Sequence, residues 1–203
     1  MNWQLFTTFL VFTVVLILAP GPIVTLVIAT SASRGPRAGL ATVAGTSSGT
    51  AVLLTAIALG LSWILSNAVY LFEVLRWGGA AYLIWLGVQA WRGGGAPADL
   101  SPQGGHVHFL RGLLVALSNP KTFAFFTAFL PQFVDPTLPV GRQLAVMCAA
   151  SVALAAVSDS AWALVAGAGR LWFLKPSRTK LLARLSGLTL IGGGLWMLSR
   201  RPA

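Results

Sequence analysis

The stretch LVALSNPKTFAFFTAFLPQF, Leu114 to Phe133, decides how this chain is read. It is apolar almost throughout, yet Asn119-Pro120-Lys121 stands inside it. Proline removes a backbone donor, and hydrocarbon rejects a lysine charge. Two such residues side by side need either a nearby exit to water or a function. A second break lies near the start of the chain, where Pro20-Gly21-Pro22 interrupts the apolar run from Trp3 to Ala29.

The composition around these breaks is that of a membrane protein. Of 203 residues, 56% are hydrophobic and 9% charged, with a mean hydropathy of +0.80. A soluble domain carries about 25% charged residues. One small globular core cannot bury this much apolar surface, so several membrane spans are expected. No Lys or Arg precedes the first run. It therefore lacks the positive flank of a signal peptide and reads as a retained helix. The net charge of +10 sits in basic residues between apolar runs, not on one continuous face. That pattern fits the positive-inside bias and anionic lipid, and argues against nucleic acid as a partner. Cys148 is the single cysteine, so the chain can form no internal disulfide and no cysteine metal cluster.

A spanning helix needs about 20 apolar residues at a rise of about 1.5 Å each. Six segments meet that length or nearly so: 4–31, 40–65, 69–91, 111–134, 142–169 and 181–199. The expected fold is all-α and polytopic, with proline-broken helices in the first and fourth spans. Arg34, Arg37, Arg92, Arg111, Arg170, Lys175, Arg178, Lys180 and Arg184 fall on one side of such a bundle. Arg76, Arg142, Arg200 and Arg201 fall on the other. The richer side is placed in the cytoplasm, which puts both termini outside. Trp3, Trp63, Trp77, Trp91, Trp172 and Trp196 lie near the expected helix ends, as an interfacial belt would, whereas Trp85 and Trp162 lie deeper.

Gly93 to Gly105 is rich in Gly, Pro and Ala and divides the chain. The expected organisation is a first three-helix repeat at 1–92, a connecting loop at 93–110 and a second repeat at 111–203. Three spans per half make the second half enter from the opposite side, giving a 3+3 inverted-topology repeat. A proline break falls in the first span of each half, and matched breaks are a sequence pointer to a transport site.

Charges away from the membrane edges sharpen the pointer. Lys121 lies about 15 Å along a helix from Arg111, Asp159 about 16 Å from Arg170, and Pro22 about 18 Å from Arg34. All three come out near the middle of a hydrocarbon core about 30 Å thick. A broken helix leaves carbonyls and amides that must be buried in protein or meet water or ligand. Free N–H groups and a lysine suit a carboxylate; free carbonyls and an aspartate suit an ammonium. An amino-acid zwitterion offers both. Pro20, Gly21, Pro22, Asn119, Pro120, Lys121 and Asp159 are therefore the candidate substrate-binding and transport residues, with Asp159 also a candidate for carrying the proton. Against this, Lys121 can snorkel to an interface along its own helix, Asp159 can serve a structural pairing, and the proline pair can be a plain kink.

Gly39, Gly45 and Gly49 lie along the second span, the last two as a G-x-x-x-G, and read as helix-packing positions. Thr46 or Ser48 lining a path is the lesser reading. His106 and His108 read as part of a solvated loop, since two histidines without a third ligand make no metal site. Glu73 and Arg76 are spaced for a local ion pair. No nucleophile with a paired base, phosphate loop or metal cluster is visible, so no enzyme activity, cofactor or metal is expected.

Three long motifs carry a family resemblance: LAPGP at Leu18–Pro22 followed by SRGPRAGLATVAGTSSG, FEVLRWGGAAYLIWLGVQAWR at Phe72–Arg92, and NPKTFAFFTAFLPQFV at Asn119–Val134. In order and at this spacing they resemble the lysine-exporter (LysE/RhtB) superfamily, most closely its homoserine, homoserine-lactone and threonine efflux branch. The resemblance covers nearly the whole chain. It implies a six-span bacterial cytoplasmic-membrane exporter, dimeric and driven by the proton gradient, whose intramembrane aspartate matches Asp159. The expected function is export of a small amino acid or derivative in exchange for protons. A membrane-embedded assembly subunit, or an enzyme without transport activity, is the competing reading.

Overall fold

The structure, a computed structural model, describes residues 1–19, 21–67, 69–92 and 105–169. Toward the C-terminus it describes residues 177, 180, 181, 184, 187, 188, 191, 192, 195, 198 and 199. Pro20, Arg170, Trp172, Lys175, Arg178, Trp196, Arg200 and Arg201 lie outside the described residues, as do the loop at 93–104 and much of the expected sixth span. The side chains of Trp63, Glu73 and Arg76 also lie outside them.

Every regular element among the described residues is helical. In chain order these are α1 (Trp3–Leu18), α2 (Pro22–Arg34), α3 (Pro36–Asn67), α4 (Val69–Arg92), α5 (Gly105–Leu117), α6 (Pro120–Phe129) and α7 (Val140–Ala168). A 3-10 turn, Leu130–Phe133, extends α6. Pro36–Leu61 of α3 and the whole of α7 are each long and apolar enough to cross a membrane. The bent pairs α1/α2 and α5/α6 meet the same test when each is taken as one span, giving two to four spans among the described residues. The two pairs bend by similar angles, 47° and 44°.

Both breaks follow from local sequence chemistry. Pro22 and Pro120 each occupy the first turn of the helix that follows the break, where a missing N–H costs nothing. Asn119 caps α6: its side-chain oxygen accepts from the Lys121 backbone N–H at 3.1 Å, and its Nδ2 donates to Thr122 Oγ1 at 2.8 Å. The prolines therefore start new helices instead of disrupting old ones.

One expectation is corrected here. Helix α5 begins at Gly105, so His106 and His108 lie on it and not in a solvated loop, and His108 is buried. The segment Gly105-His-Val-His has no N-cap side chain and no clear apolar period, so nothing in it announces a helix start.

The phenylalanines of α6 join it to α1. Phe125 stacks on Phe129 at 4.4 Å, Phe12 lies 5.3 Å from Phe129, and Phe9 meets Phe133 edge-on at 5.8 Å. Such pairs contribute about 0.5–1.5 kcal/mol each beyond burial. In lipid, where apolar side chains gain little by leaving the solvent, this shape-specific packing carries the association. Trp3 and Trp91 are exposed near helix ends; Trp77 and Trp85 are exposed within α4, and Trp85 stacks on Tyr82. Trp162 packs against Val24, Val27 and Ala163.

Helix α5 runs against α3 with almost no side chain between them. A Cβ at Gly49 would lie 2.6 Å from the Leu113 carbonyl oxygen and 2.8 Å from Ala116 Cβ. One at Gly45 would meet the Phe109 carbonyl, and one at Gly112 the Thr42 carbonyl. Gly39 instead faces Ser31 of α2 and Ala163 of α7. Overpacking a tight core costs about 1–3 kcal/mol. At Gly45 the obstacle is backbone, which cannot turn aside. Gly45→Leu is therefore expected to fall at or beyond the top of that range, read as a lower melting temperature and poor recovery in detergent.

At the end of the bundle holding the start of α1, a polar clasp joins α1 to the loop before α7. Asn2 caps α1 and donates to Asp135 Oδ2 at 3.1 Å. Asp135 Oδ1 accepts from the Thr137 hydroxyl and backbone N–H, at 2.6 and 3.0 Å. Buried Gln143 bonds the Asp135 backbone in both directions. The Thr137 hydroxyl first, and then Asn2, hold the Asp135 carboxyl below the usual carboxylate value of about 4. A lowered value means the clasp stabilises above about pH 4 and is lost as pH falls through the depressed value. Asp135→Asn is expected to narrow the gap to wild type as the buffer is acidified, read as melting temperature against pH.

Candidate functional site

The breaks in α1/α2 and α5/α6 meet. Leu16, Ile17 and Ala19 at the end of α1, Gly21, Ile23 and Val24 at the start of α2, and Asn119, Lys121, Thr122 and Phe126 of the α6 region line one small cavity. Thr50 of α3 and Ser151, Ala155 and Asp159 of α7 complete it. The cavity holds about 60 Å³.

Lys121 crosses from the second half of the chain to the first. It is 7% exposed, and its Nζ donates to the Leu16 carbonyl at 2.9 Å and to the Ala19 carbonyl. These are carbonyls that the end of α1 leaves without helical partners. A cation there also meets the negative end of the α1 dipole. The lysine does not snorkel outward along its own helix. Gly21 makes room for it: a Cβ at that position would lie 3.0 Å from Lys121 Cδ and 3.4 Å from Nζ. The sequence reading reserved the free carbonyls for a ligand ammonium, but the ammonium occupying them belongs to the protein. An ammonium has three donors, and two are used here.

Asp159 projects from α7 on the same face as Ser151 and Ala155, at helical spacing, and is buried. Among the described residues its carboxylate has no hydrogen bond and no direct ion pair; Lys121 attracts it across the cavity. A buried carboxylate without donors calls for a cation or a proton. At the start of α2, the Ile23 and Val24 amides precede the first helical acceptors, and Gly21 supplies no side-chain cap. The site therefore holds an ammonium with one donor left, a free carboxylate and a helix N-terminus. It can meet both charges of a small zwitterion.

Of the sequence candidates, Gly21, Asn119, Lys121 and Asp159 line the cavity together. Pro22 and Pro120 shape the helix starts beside it without lining it. Gly39, Gly45 and Gly49 lie in helix contacts away from it. Thr46 is buried and bonds the Val43 carbonyl, and Ser48 bonds the Ala44 carbonyl; neither lines the cavity. Thr50, Ser151 and Ile17 were missed. Ser151 had a signal, since 151, 155 and 159 share one helix face with the only acid in that span. Ile17 had none.

Apolar helices long enough to cross a membrane, two matched breaks and a buried charge pair on one cavity define a class: a multi-pass helical membrane protein with a polar chamber at its helix ends. Residues 14–201 match the family model for the LysE type translocator. The chain belongs to that family, and so is a bacterial membrane translocator and not an enzyme. It is 31% identical over 207 residues to the homoserine/homoserine lactone efflux protein of Salmonella typhimurium, covering 100% of both chains. It is 32% identical over 138 residues to the leucine efflux protein of Salmonella choleraesuis, covering 65% of this chain and 64% of that one. An uncharacterized membrane protein of Pseudomonas aeruginosa is 42% identical over 139 residues, 64% of each chain. No solved structure matches the chain.

Proposed function

We propose that this protein exports a small amino acid or amino-acid derivative across the cytoplasmic membrane in exchange for protons. The observation that carries the reading is the shared cavity, where Lys121 and Asp159 face one space between the two broken helix pairs. The names of the relatives, homoserine/homoserine lactone efflux and leucine efflux, point to the same substrate class.

In this reading the substrate carboxylate takes the remaining Lys121 donor and the α2 amides, and its ammonium pairs with Asp159. Asp159 then alternates between substrate and proton. A proton taken from outside displaces the ammonium and is released to the cytoplasm before the next substrate binds. The cavity is small, about 60 Å³. Loading a substrate requires the helix breaks to part. Six spans arranged as two inverted three-helix halves supply the motion: rocking of one half against the other opens the chamber to each side in turn.

The test is purified protein in liposomes loaded with a panel of amino acids, homoserine, threonine, leucine and alanine among them, with an imposed pH gradient. Efflux that requires the gradient supports the reading. A folded protein that moves none of the panel in either gradient direction overturns it and favours an assembly role.

A further inference from the structure

Beside the cavity that holds Lys121 and Asp159 lies a second, larger space. It is a groove of about 470 Å³ between α1 and α7, lined by Val14, Ile17, Leu18, Leu154, Val157, Ser158, Ala161, Trp162 and Val165. Ser158 is the one polar residue in that lining. The two spaces touch at one residue: Ile17 lines both.

Ile17 sits in the last turn of α1, two residues before Ala19 and the break. The Leu16 carbonyl that receives Lys121 adjoins it in the chain. The other side of the partition is the α7 segment carrying Asp159, which turns Asp159 and Ala155 to the cavity and Val157, Ser158, Ala161 and Trp162 to the groove. A molecule whose charged head meets Lys121 and Asp159 lies beside Ile17, which also faces the larger groove. The cavity, at about 60 Å³, is much smaller than the groove, and the groove has almost no polar surface to desolvate.

We infer that the α1–α7 groove is a side-chain subsite set behind Ile17, and that Ile17 sets how large an apolar side chain the translocator accepts. This rests on the proposed export reading and deepens it by naming a substrate class. With isoleucine in place the partition favours short side chains, such as that of alanine. Removing its bulk joins head site and groove, and favours branched aliphatic side chains, such as that of leucine. One methylene in an apolar pocket changes discrimination by roughly 10-fold or more.

The experiment measures export of leucine and of alanine from the same proteoliposomes under a pH gradient, read as the leucine-to-alanine ratio. A ratio cancels the amount of active protein, so a poorly folding variant still reports. Ile17→Ala is expected to raise the ratio roughly tenfold, with Ile17→Val intermediate. Ala161→Phe, which fills the groove from α7, is expected to lower it. If both substrates are exported and all three variants keep the wild-type ratio, the subsite is absent and the groove is a seat for a lipid chain. If the wild type exports neither substrate, the export reading falls, and this inference with it.

Discussion

Asp159→Asn should stop gradient-driven export while leaving a protein that inserts and folds. Asparagine matches the aspartate in shape but carries neither charge nor transferable proton. Losing a group that transfers a proton costs a rate roughly a hundredfold or more. The effect on stability should go the other way. The carboxylate is buried, has no hydrogen bond among the described residues, and faces Lys121 only across the cavity. Replacing an unsolvated charge by a neutral amide is neutral or stabilising. The joint result, export lost and melting temperature held or raised, separates a working role from a scaffolding one. Full export from a stable Asp159→Asn protein would remove Asp159 from the transport cycle. A drop in stability with export per folded molecule intact would favour the assembly-subunit reading.

Lys121→Met is expected to fail in both respects. Methionine matches the length of the lysine but donates nothing to the Leu16 and Ala19 carbonyls. Each buried acceptor left unsatisfied costs about 1–3 kcal/mol, so the variant should lose about 2 kcal/mol or more. Export should fall with it, because the carboxylate of the substrate loses its cation. Lys121→Arg keeps the charge but brings a wide planar head beneath Gly21, where the lysine stem already fits closely. It should fold better than Lys121→Met and still transport poorly. The double variant Lys121→Met/Asp159→Asn tests the coupling between the two charges. If they act as a pair, its stability should exceed the sum of the single effects, since no lone carboxylate remains. Strict additivity would mean that the two groups do not sense each other.

The sequence made the breaks readable because proline has a local meaning: Asn119-Pro120 and Gly21-Pro22 specify a helix start wherever they occur. It also made the shared depth of Lys121 and Asp159 readable, because helix rise is constant. The partner of the lysine was not readable. Leu16 and Ala19 are 105 and 102 residues away, and a backbone carbonyl leaves no mark on its own side chain. Ile17 was hidden for a similar reason, as an aliphatic residue in an aliphatic run becomes distinctive only when two spaces meet at it. The helical setting of His108 was hidden because Gly105-His-Val-His carries no clear apolar period. Much of the expected sixth span, and Pro20, lie outside the described residues, so the six-span organisation belongs to the proposed function.

The seam between α3 and α5 limits what the molecule can do mechanically. Where two helices meet through long side chains, they can slide, because side chains exchange rotamers. Here a carbonyl of one helix fills the place of a side chain on the other, at Gly45 and Gly49 in one direction and at Gly112 in the reverse. The two backbones are keyed like meshed teeth, and an axial shift of one helical step would drive oxygen into carbon. The seam therefore holds α5, and with it the start of the α5/α6 break beside Lys121, in fixed axial register with α3.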